Sequence, residues 1–458
     1  MAGEERPQSP TALPERSELL AETTLHALLW LVVGCSVGLL LATLLLQPRL
    51  GELLAPFTYG RLVPLHLDLV LYGWCALPLI ALLFRFFLPP RGSLRSARLA
   101  LWGWSAALGA GAASWLGGAT TGKPFLDWSG SARWLFVLEL AGLETVLLLG
   151  WWQRLRTARQ RSAEALSAPA RLAGWGLLTM LAAVPAVMLF ATRRDVYPPV
   201  NPATGGPTGA SLLGSTLVVV ALFLACPLLL GVAPPRDAGG PGRGLFLLAL
   251  HFAAYLALSH GDASHHELGQ ILAVASLLLW PPWLARYLSG FDWRPEARRW
   301  LLAFGAWTAL LFASAVLMFL PGILDRLKFT HALVAHAHLA MAGMATSFLV
   351  LVLVSLAQDG PLARALSRPG PFWLWQAGSV AHVLALAALG WREGGDPALL
   401  LRAGPAVLLP LALRWGAGAA MLTAALLWLG ESLKACSALA LPASLPTREA
   451  AALEEVAA

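Results

Sequence analysis

Long apolar runs separated by short polar loops recur along the whole chain. A helix needs about 20 apolar residues to cross the hydrocarbon core of a bilayer. Twelve stretches meet this requirement, near residues 24–47, 62–87, 97–119, 132–153, 171–192, 211–233, 244–260, 268–288, 300–322, 329–357, 371–391 and 404–430. The sequence therefore predicts an all-α integral membrane protein with a bundle of about twelve transmembrane helices, here called spans one to twelve.

The composition supports this prediction. The chain has 458 residues, of which 58% are hydrophobic and only 12% are charged, whereas a soluble domain carries about a quarter charged residues. The net charge of +7 comes mostly from arginines in the loops. We interpret it as a topology signal rather than a nucleic-acid surface, and expect the protein to contact membrane lipid and no nucleic acid.

Arginine placement predicts how the chain crosses the membrane. Arginine-rich loops follow spans two, four and eight, and the intervening loops carry fewer positive charges. By the positive-inside rule both termini are cytoplasmic, as expected for a multi-pass protein of a bacterial-type inner (cytoplasmic) membrane. We expect a cytoplasmic tail over residues 1–22, which lacks the basic start of a signal peptide, a membrane domain over 23–431 and a C-terminal tail over 432–458.

Histidines recur at one predicted depth in the bilayer. His66 lies about one turn into span two, and His336 and His338 lie about two turns into span ten. Both spans are predicted to start at the outer surface, so these side chains fall in the outer part of the membrane. Span seven runs outward and ends at His260, which reaches the same side.

The spacing of His336 and His338 limits what they can bind. Residues two apart on a helix face nearly opposite ways and differ in height by about 3 Å. Two ligands to one metal prefer a spacing of three or four, so this pair suits two separate centres. A haem with axial histidines fits between helices. A packed, hydrogen-bonded histidine or a proton relay is the alternative.

Two stretches carry a resemblance to a known family. "GRLVPLHLDLVLYGW" and "FTHALVAHAHLAMAGM" resemble the second and tenth helices of subunit I of the haem-copper oxidases, with the closest likeness to the cbb-type oxidases and nitric oxide reductases. The resemblance implies that His66 and His338 are the axial ligands of a low-spin haem. It also implies that His336 binds a high-spin haem, which receives electrons from the first haem and reduces oxygen or nitric oxide.

Arg61, just outside span two, has two interpretations. Its guanidinium could pair with a haem propionate, because the planar fork suits carboxylates. A simple anchor at the membrane surface is the alternative. The two carboxyl groups within span four, Glu139 and Glu144, likewise suit either a proton carrier or a hydrogen bond between helices.

The sequence departs from the family at the second metal, a copper or a non-haem iron. The family uses one histidine from span six and an adjacent pair near the end of span seven. Span six here has no histidine, and Ser215 or Thr216 stands near the expected position. At the end of span seven Ser259 precedes His260, which we interpret as a possible remnant of the site. A further pair, His265 and His266, follows in the predicted outer loop.

Three functions therefore remain open. The first is a terminal oxidase or nitric oxide reductase. The second is a non-catalytic relative without the second metal, acting in electron transfer, in gas binding or as a respiratory-complex subunit. The third is a proton-coupled transporter without haem. The first two imply other respiratory subunits and a small gas ligand. Because the chain has no CxxCH motif, they also imply a separate cytochrome c or copper-protein electron donor.

Overall fold

The structure, a computed structural model, describes residues 12–90, 94–160, 166–196, 223–237, 240–258, 266–358, 360–402 and 404–440. These residues form long helices and short connections, with an isolated β-bridge and no strand. The long helices are α1 Ala12–Leu46, α2 Tyr59–Phe87, α3 Arg95–Leu116, α4 Gly130–Gln160, α5 Ala168–Ala191, α6 Gly240–Leu258, α7 Leu268–Ser289, α8 Arg298–Met318, α9 His331–Ala357, α10 Pro369–Glu393 and α11 Pro405–Ala440.

The all-α membrane fold is confirmed. In the described part of the chain, ten helices are long and apolar enough to cross a membrane, and α3 is also 22 residues long. Helices α1 to α5 correspond to spans one to five, and α6 to α11 to spans seven to twelve. Span six lies mostly outside the described residues, where only its last part, 223–229, is helical.

The first and last helices are longer than the apolar pattern predicts. Helix α1 already begins at Ala12 and α11 continues to Ala440, so both run beyond the expected borders of the membrane domain. At the start of α1, Arg98 of α3 forms ion pairs with Glu18 at 2.7 Å and Glu22 at 3.1 Å. These pairs support helical turns that hydrophobicity alone would not place in the bundle.

Helices α2 and α9 are the most buried of the apolar spans and form the centre of the bundle. Helix α1 packs against α2 and α11, and α9 packs against α8 and α10. The indole of Trp74 in α2 donates a hydrogen bond of 3.0 Å to the hydroxyl of Thr346 in α9. The two helices that carry the predicted histidine motifs are therefore joined directly.

Both central helices contain a π-helical turn just after their histidines. The turn in α2 spans Leu69–Cys75 and the turn in α9 spans Leu339–Ala345. A π turn widens the helix by bonding residue i to i+5, and such turns are frequent at functional sites. Trp74 lies within the π turn of α2, and Thr346 directly follows the π turn of α9. These two residues are the ones that bond to each other.

Close packing between α9 and α10 depends on Gly390. A Cβ atom at this position would collide with the backbone nitrogen of Ala332 in α9. We expect Gly390→Ala to lower the unfolding temperature of the purified protein, because backbone atoms cannot move aside as a side chain can and overpacking costs about 1–3 kcal/mol.

Gly305→Ala in α8 is the matched control for this prediction. A Cβ atom there meets nothing within 4 Å, so the better helix propensity of alanine should leave stability unchanged or raise it. Equal unfolding temperatures for the two variants in a thermal scan would contradict the close approach of α9 and α10.

Candidate functional site

His66 of α2 and His338 of α9 face each other inside the bundle. Their ring centroids are 6.5 Å apart and their planes are inclined by only 19°. Two metal–nitrogen bonds of about 2 Å, plus the distance from each nitrogen to its ring centre, amount to roughly 6 Å. The separation of the two ring centres is therefore compatible with one metal ion bound by both rings.

Backbone hydrogen bonds fix which nitrogen of each ring is open. Nδ1 of His66 lies 2.8 Å from the carbonyl oxygen of Gly34, and Nδ1 of His338 lies 2.9 Å from that of Val334. A carbonyl only accepts, so each Nδ1 carries the proton and donates it. In the neutral ring Nε2 then keeps its lone pair, and a backbone partner on Nδ1 is the usual arrangement of a metal-binding histidine.

His336 points to a different neighbour. Its Nδ1 lies 3.0 Å from the hydroxyl of Ser314 in α8, and that hydroxyl donates to the carbonyl of Leu311. The serine oxygen therefore accepts from Nδ1, and Nε2 of His336 is open as well. His338 faces α2 and His336 faces α8, which agrees with the two faces expected from their spacing.

His251 and His331 are engaged in ordinary polar contacts. His251 uses both ring nitrogens, since Nδ1 accepts from the indole of Trp280 at 2.6 Å and Nε2 bonds to Ser276 at 2.9 Å. His331 pairs with Glu393 of α10 at 2.8 Å. His251, with both nitrogens bonded, therefore differs from His66, His336 and His338, in which only Nδ1 has a protein partner.

Two glycines of α1 let His66 sit close to that helix. Gly34 supplies the carbonyl that accepts from His66. A Cβ atom at Gly38, one turn further along, would lie 2.7 Å from Cε1 of the His66 ring. The i, i+4 spacing places both glycines on one face of α1, so this face forms a shallow cradle for the imidazole.

Two polar residues beside the histidine pair were not predicted as part of the site. The ring of His382 in α10 lies 4.4 Å from that of His338, and neither of its nitrogens makes a hydrogen bond of normal geometry. Arg414 of α11 is also buried near these rings, and its Nε has no partner. Each buried polar group without a partner costs about 1–3 kcal/mol. A cofactor with polar edges could supply the partners that His382 and Arg414 lack, so both residues fit such a site.

Arg61 is placed at the end of a neighbouring helix. One guanidinium nitrogen donates a hydrogen bond of 2.9 Å to the carbonyl of Leu116, the last residue of α3. A cation at a helix C-terminus stabilises the free carbonyls there. This contact occupies one edge of the guanidinium. That Arg61 pairs with a haem propionate stays a prediction.

The loop between α3 and α4 folds into the bundle beside α2. Its Asp127 accepts hydrogen bonds from the hydroxyl of Thr121 at 2.9 Å and the amide of Gly122 at 3.1 Å. The hydroxyl of Tyr72 in α2 donates to the carbonyl of Phe125 at 2.7 Å. The loop thus covers the side of α2 that follows His66, a feature that no sequence motif predicts.

His260, the possible remnant of a second metal site, lies outside the described residues, as do Ser215, Thr216 and Ser259 at the positions of the family's other histidines and His265 of the later pair. Of the later histidine pair, His266 is described, and it bonds to Asp325 at 3.1 Å on the protein surface. In the described ranges, no group of three or more His, Cys, Asp and Glu side chains is placed to hold a metal ion.

The carboxyl group of Glu139 in α4 lies against Gly103 of α3, where a Cβ atom would overlap it. One oxygen of Glu139 and one of Glu144 are buried without a hydrogen-bond partner. The contact with Gly103 brings Glu139 to the boundary between two helices. Both roles expected for these glutamates, proton carrier and helix-packing group, remain open.

Comparison with known proteins identifies the family. The sequence family described as Cytochrome C and Quinol oxidase polypeptide I matches residues 19–398, which include His66, His336 and His338. No curated protein matches the chain. Members of this family generally bind haems and belong to membrane-bound respiratory complexes. Because the match covers well over half of its length, the chain belongs to this family, within the haem-copper oxidase subunit I superfamily.

Proposed function

We propose that the protein is a respiratory haem protein in which His66 and His338 bind a low-spin haem and His336 binds a high-spin haem. The observation that carries this proposal is the facing pair, with rings 6.5 Å apart, nearly parallel and each bonded through Nδ1 to a backbone carbonyl. Haem supplies one-electron chemistry when bound, with a potential set by its axial ligands.

The residues around the pair hold both ligands in fixed orientations. Gly34 restrains His66 from α1, and Val334 restrains His338 from one turn earlier in its own helix. The hydrogen bond between Trp74 and Thr346 keeps α2 and α9 together. Rigid ligands of this kind favour electron transfer, because little must rearrange when the charge of the metal changes.

His336 and His338 are carried by the same helix at a height difference of about 3 Å. Because they face α8 and α2 respectively, helix α9 would lie between the two cofactors and place them side by side. A single axial ligand at His336 leaves the far side of the second centre for a small gas. We therefore propose reduction of oxygen or nitric oxide as the activity.

A non-catalytic haem protein is the second candidate. It is favoured by a specific observation, since span six contains no histidine and copper or iron binding depends on ligand number and type. A haem-free transporter is less well supported, because proton relays do not require two parallel imidazoles at the spacing of a metal bridge.

Replacing either axial ligand tests the low-spin site. His66→Ala and His338→Ala should each lower the low-spin absorbance per chain in reduced-minus-oxidised spectra by about tenfold or more, because one remaining imidazole cannot hold a six-coordinate iron. His251→Ala serves as the control, since both nitrogens of His251 already have protein partners. Retention of the signal in both ligand variants would exclude the assignment.

Replacing His336 separates the two centres. His336→Ala should abolish binding of carbon monoxide while the low-spin spectrum remains, because only the high-spin centre has an open position. Ser314→Ala, which removes the partner of Nδ1, should weaken retention of that centre by about 10–100-fold. If His336→Ala removed both signals equally, the roles of His336 and His338 would be reversed.

Metal analysis distinguishes the reductase from its non-catalytic relative. We expect two haems per chain in the purified protein, measured together with copper and non-haem iron. One additional copper or iron, with consumption of oxygen or nitric oxide by the reduced protein, would support the reductase. Two haems without a third metal would support electron transfer or gas binding alone. Absence of haem would contradict both.

A further inference from the structure

A cavity of about 230 Å³ opens at one end of the bundle, far from the histidines. It lies where the start of α1, the end of α2 and the end of α9 meet the short helix Pro361–Leu366. Its wall is part polar and part apolar, and the apolar part includes Leu19, Leu20, Phe84, Leu88 and Leu362. The volume exceeds the roughly 150 Å³ of a cavity that accepts benzene, so it can hold part of a ligand.

Two arginines line this apolar cavity. Arg16 of α1 and Arg85 of α2 both contribute to its surface. Arg16 donates hydrogen bonds to the carbonyls of Leu88 at 2.5 Å and Pro89 at 2.9 Å. These carbonyls are neutral acceptors at the C-terminus of α2, so they orient the guanidinium and offset its charge only in part.

The charged groups that act on Arg16 are also cations, Arg85 and Arg154. Among the described residues neither Arg16 nor Arg85 forms an ion pair, whereas Arg98 at the same end of the bundle pairs with Glu18 and Glu22. Like charges held close together repel each other. An anion bound between Arg16 and Arg85 would relieve this repulsion.

The combination of charge and apolar wall indicates the class of ligand. Guanidinium groups suit phosphate oxygens, and basic pockets between transmembrane helices bind the headgroups of anionic lipids. A free phosphate ion would satisfy the arginines but would leave Leu19, Leu20 and Phe84 uncovered. We propose that this cavity binds the phosphate headgroup of an anionic phospholipid, with an acyl chain along the apolar wall.

Binding to the full-length protein tests the proposal. The chain, purified with its cofactors and stripped of lipid, is placed in nanodiscs of phosphatidylcholine with or without phosphatidylglycerol, and retained lipid is counted by native mass spectrometry. We expect one retained phosphatidylglycerol per chain. The double variant R16Q/R85Q should weaken its binding roughly thirtyfold, from the contribution of each arginine near a membrane surface.

The double variant R286Q/R299Q is the matched control. It removes the same charge from two exposed arginines at this end of the bundle that do not line the cavity, so it should bind the lipid as the unaltered protein does. Leu20→Trp keeps both arginines but fills the wall, and should also abolish retention. Equal weakening in both double variants would show only a general charge effect and overturn the proposal.

Competition distinguishes the lipid from a free anion. Inorganic phosphate and glycerol 3-phosphate are added to the unaltered protein at millimolar concentration. Retention of phosphatidylglycerol in their presence supports the lipid site. Displacement of the lipid, or binding of phosphate without any retained lipid, would show that the cavity holds a soluble phosphate and overturn the lipid assignment. If the unaltered protein retained no phosphatidylglycerol, the lipid proposal would be overturned, even if the variants failed to fold.

Discussion

An imidazole inside a membrane helix needs a partner for each of its nitrogens, because lipid offers none. In His66, His336 and His338 the Nδ1 proton already goes to a protein oxygen. The open Nε2 atoms of His66 and His338 belong to facing rings, at a spacing that suits a shared metal. A bound metal would meet this requirement on the two most buried helices of the bundle.

Much of the surrounding packing serves to hold that pair. Glycines at 34 and 38 bring α1 close enough to bond to His66 and to touch its ring. Beyond the histidines, the π turns of α2 and α9 shift the helical phase, and Trp74 and Thr346 meet where the turns end. Helix α1, which supports His66, therefore forms one packed unit with α2 and α9, which carry the candidate ligands.

The sequence predicted the features that depend on local pattern. Apolar runs located the helices, and the two-residue spacing in α9 correctly placed His336 and His338 towards different neighbours. The sequence did not predict the π turns, because those turns depend on contacts between α2, α9 and their neighbours. His382 and Arg414 were missed as neighbours of the site for the same reason: they lie on α10 and α11, and only packing brings them beside His338. The second metal site stays a prediction, since its possible remnant His260 lies outside the described residues.

The cavity proposed to bind lipid and the histidine pair lie at opposite ends of the same helices. Arg85 follows His66 by 19 residues in α2, which corresponds to roughly 28 Å along a helix. The hydrocarbon core of a bilayer is about 30 Å thick. If Arg85 binds a headgroup at one surface, His66 must lie near the other surface, which agrees with the depth expected from the arginine pattern of which Arg85 is part. A cofactor held by His66 would be within reach of an electron donor outside the membrane. The proposed lipid would hold α1, α2 and α9 together at the opposite end of the bundle.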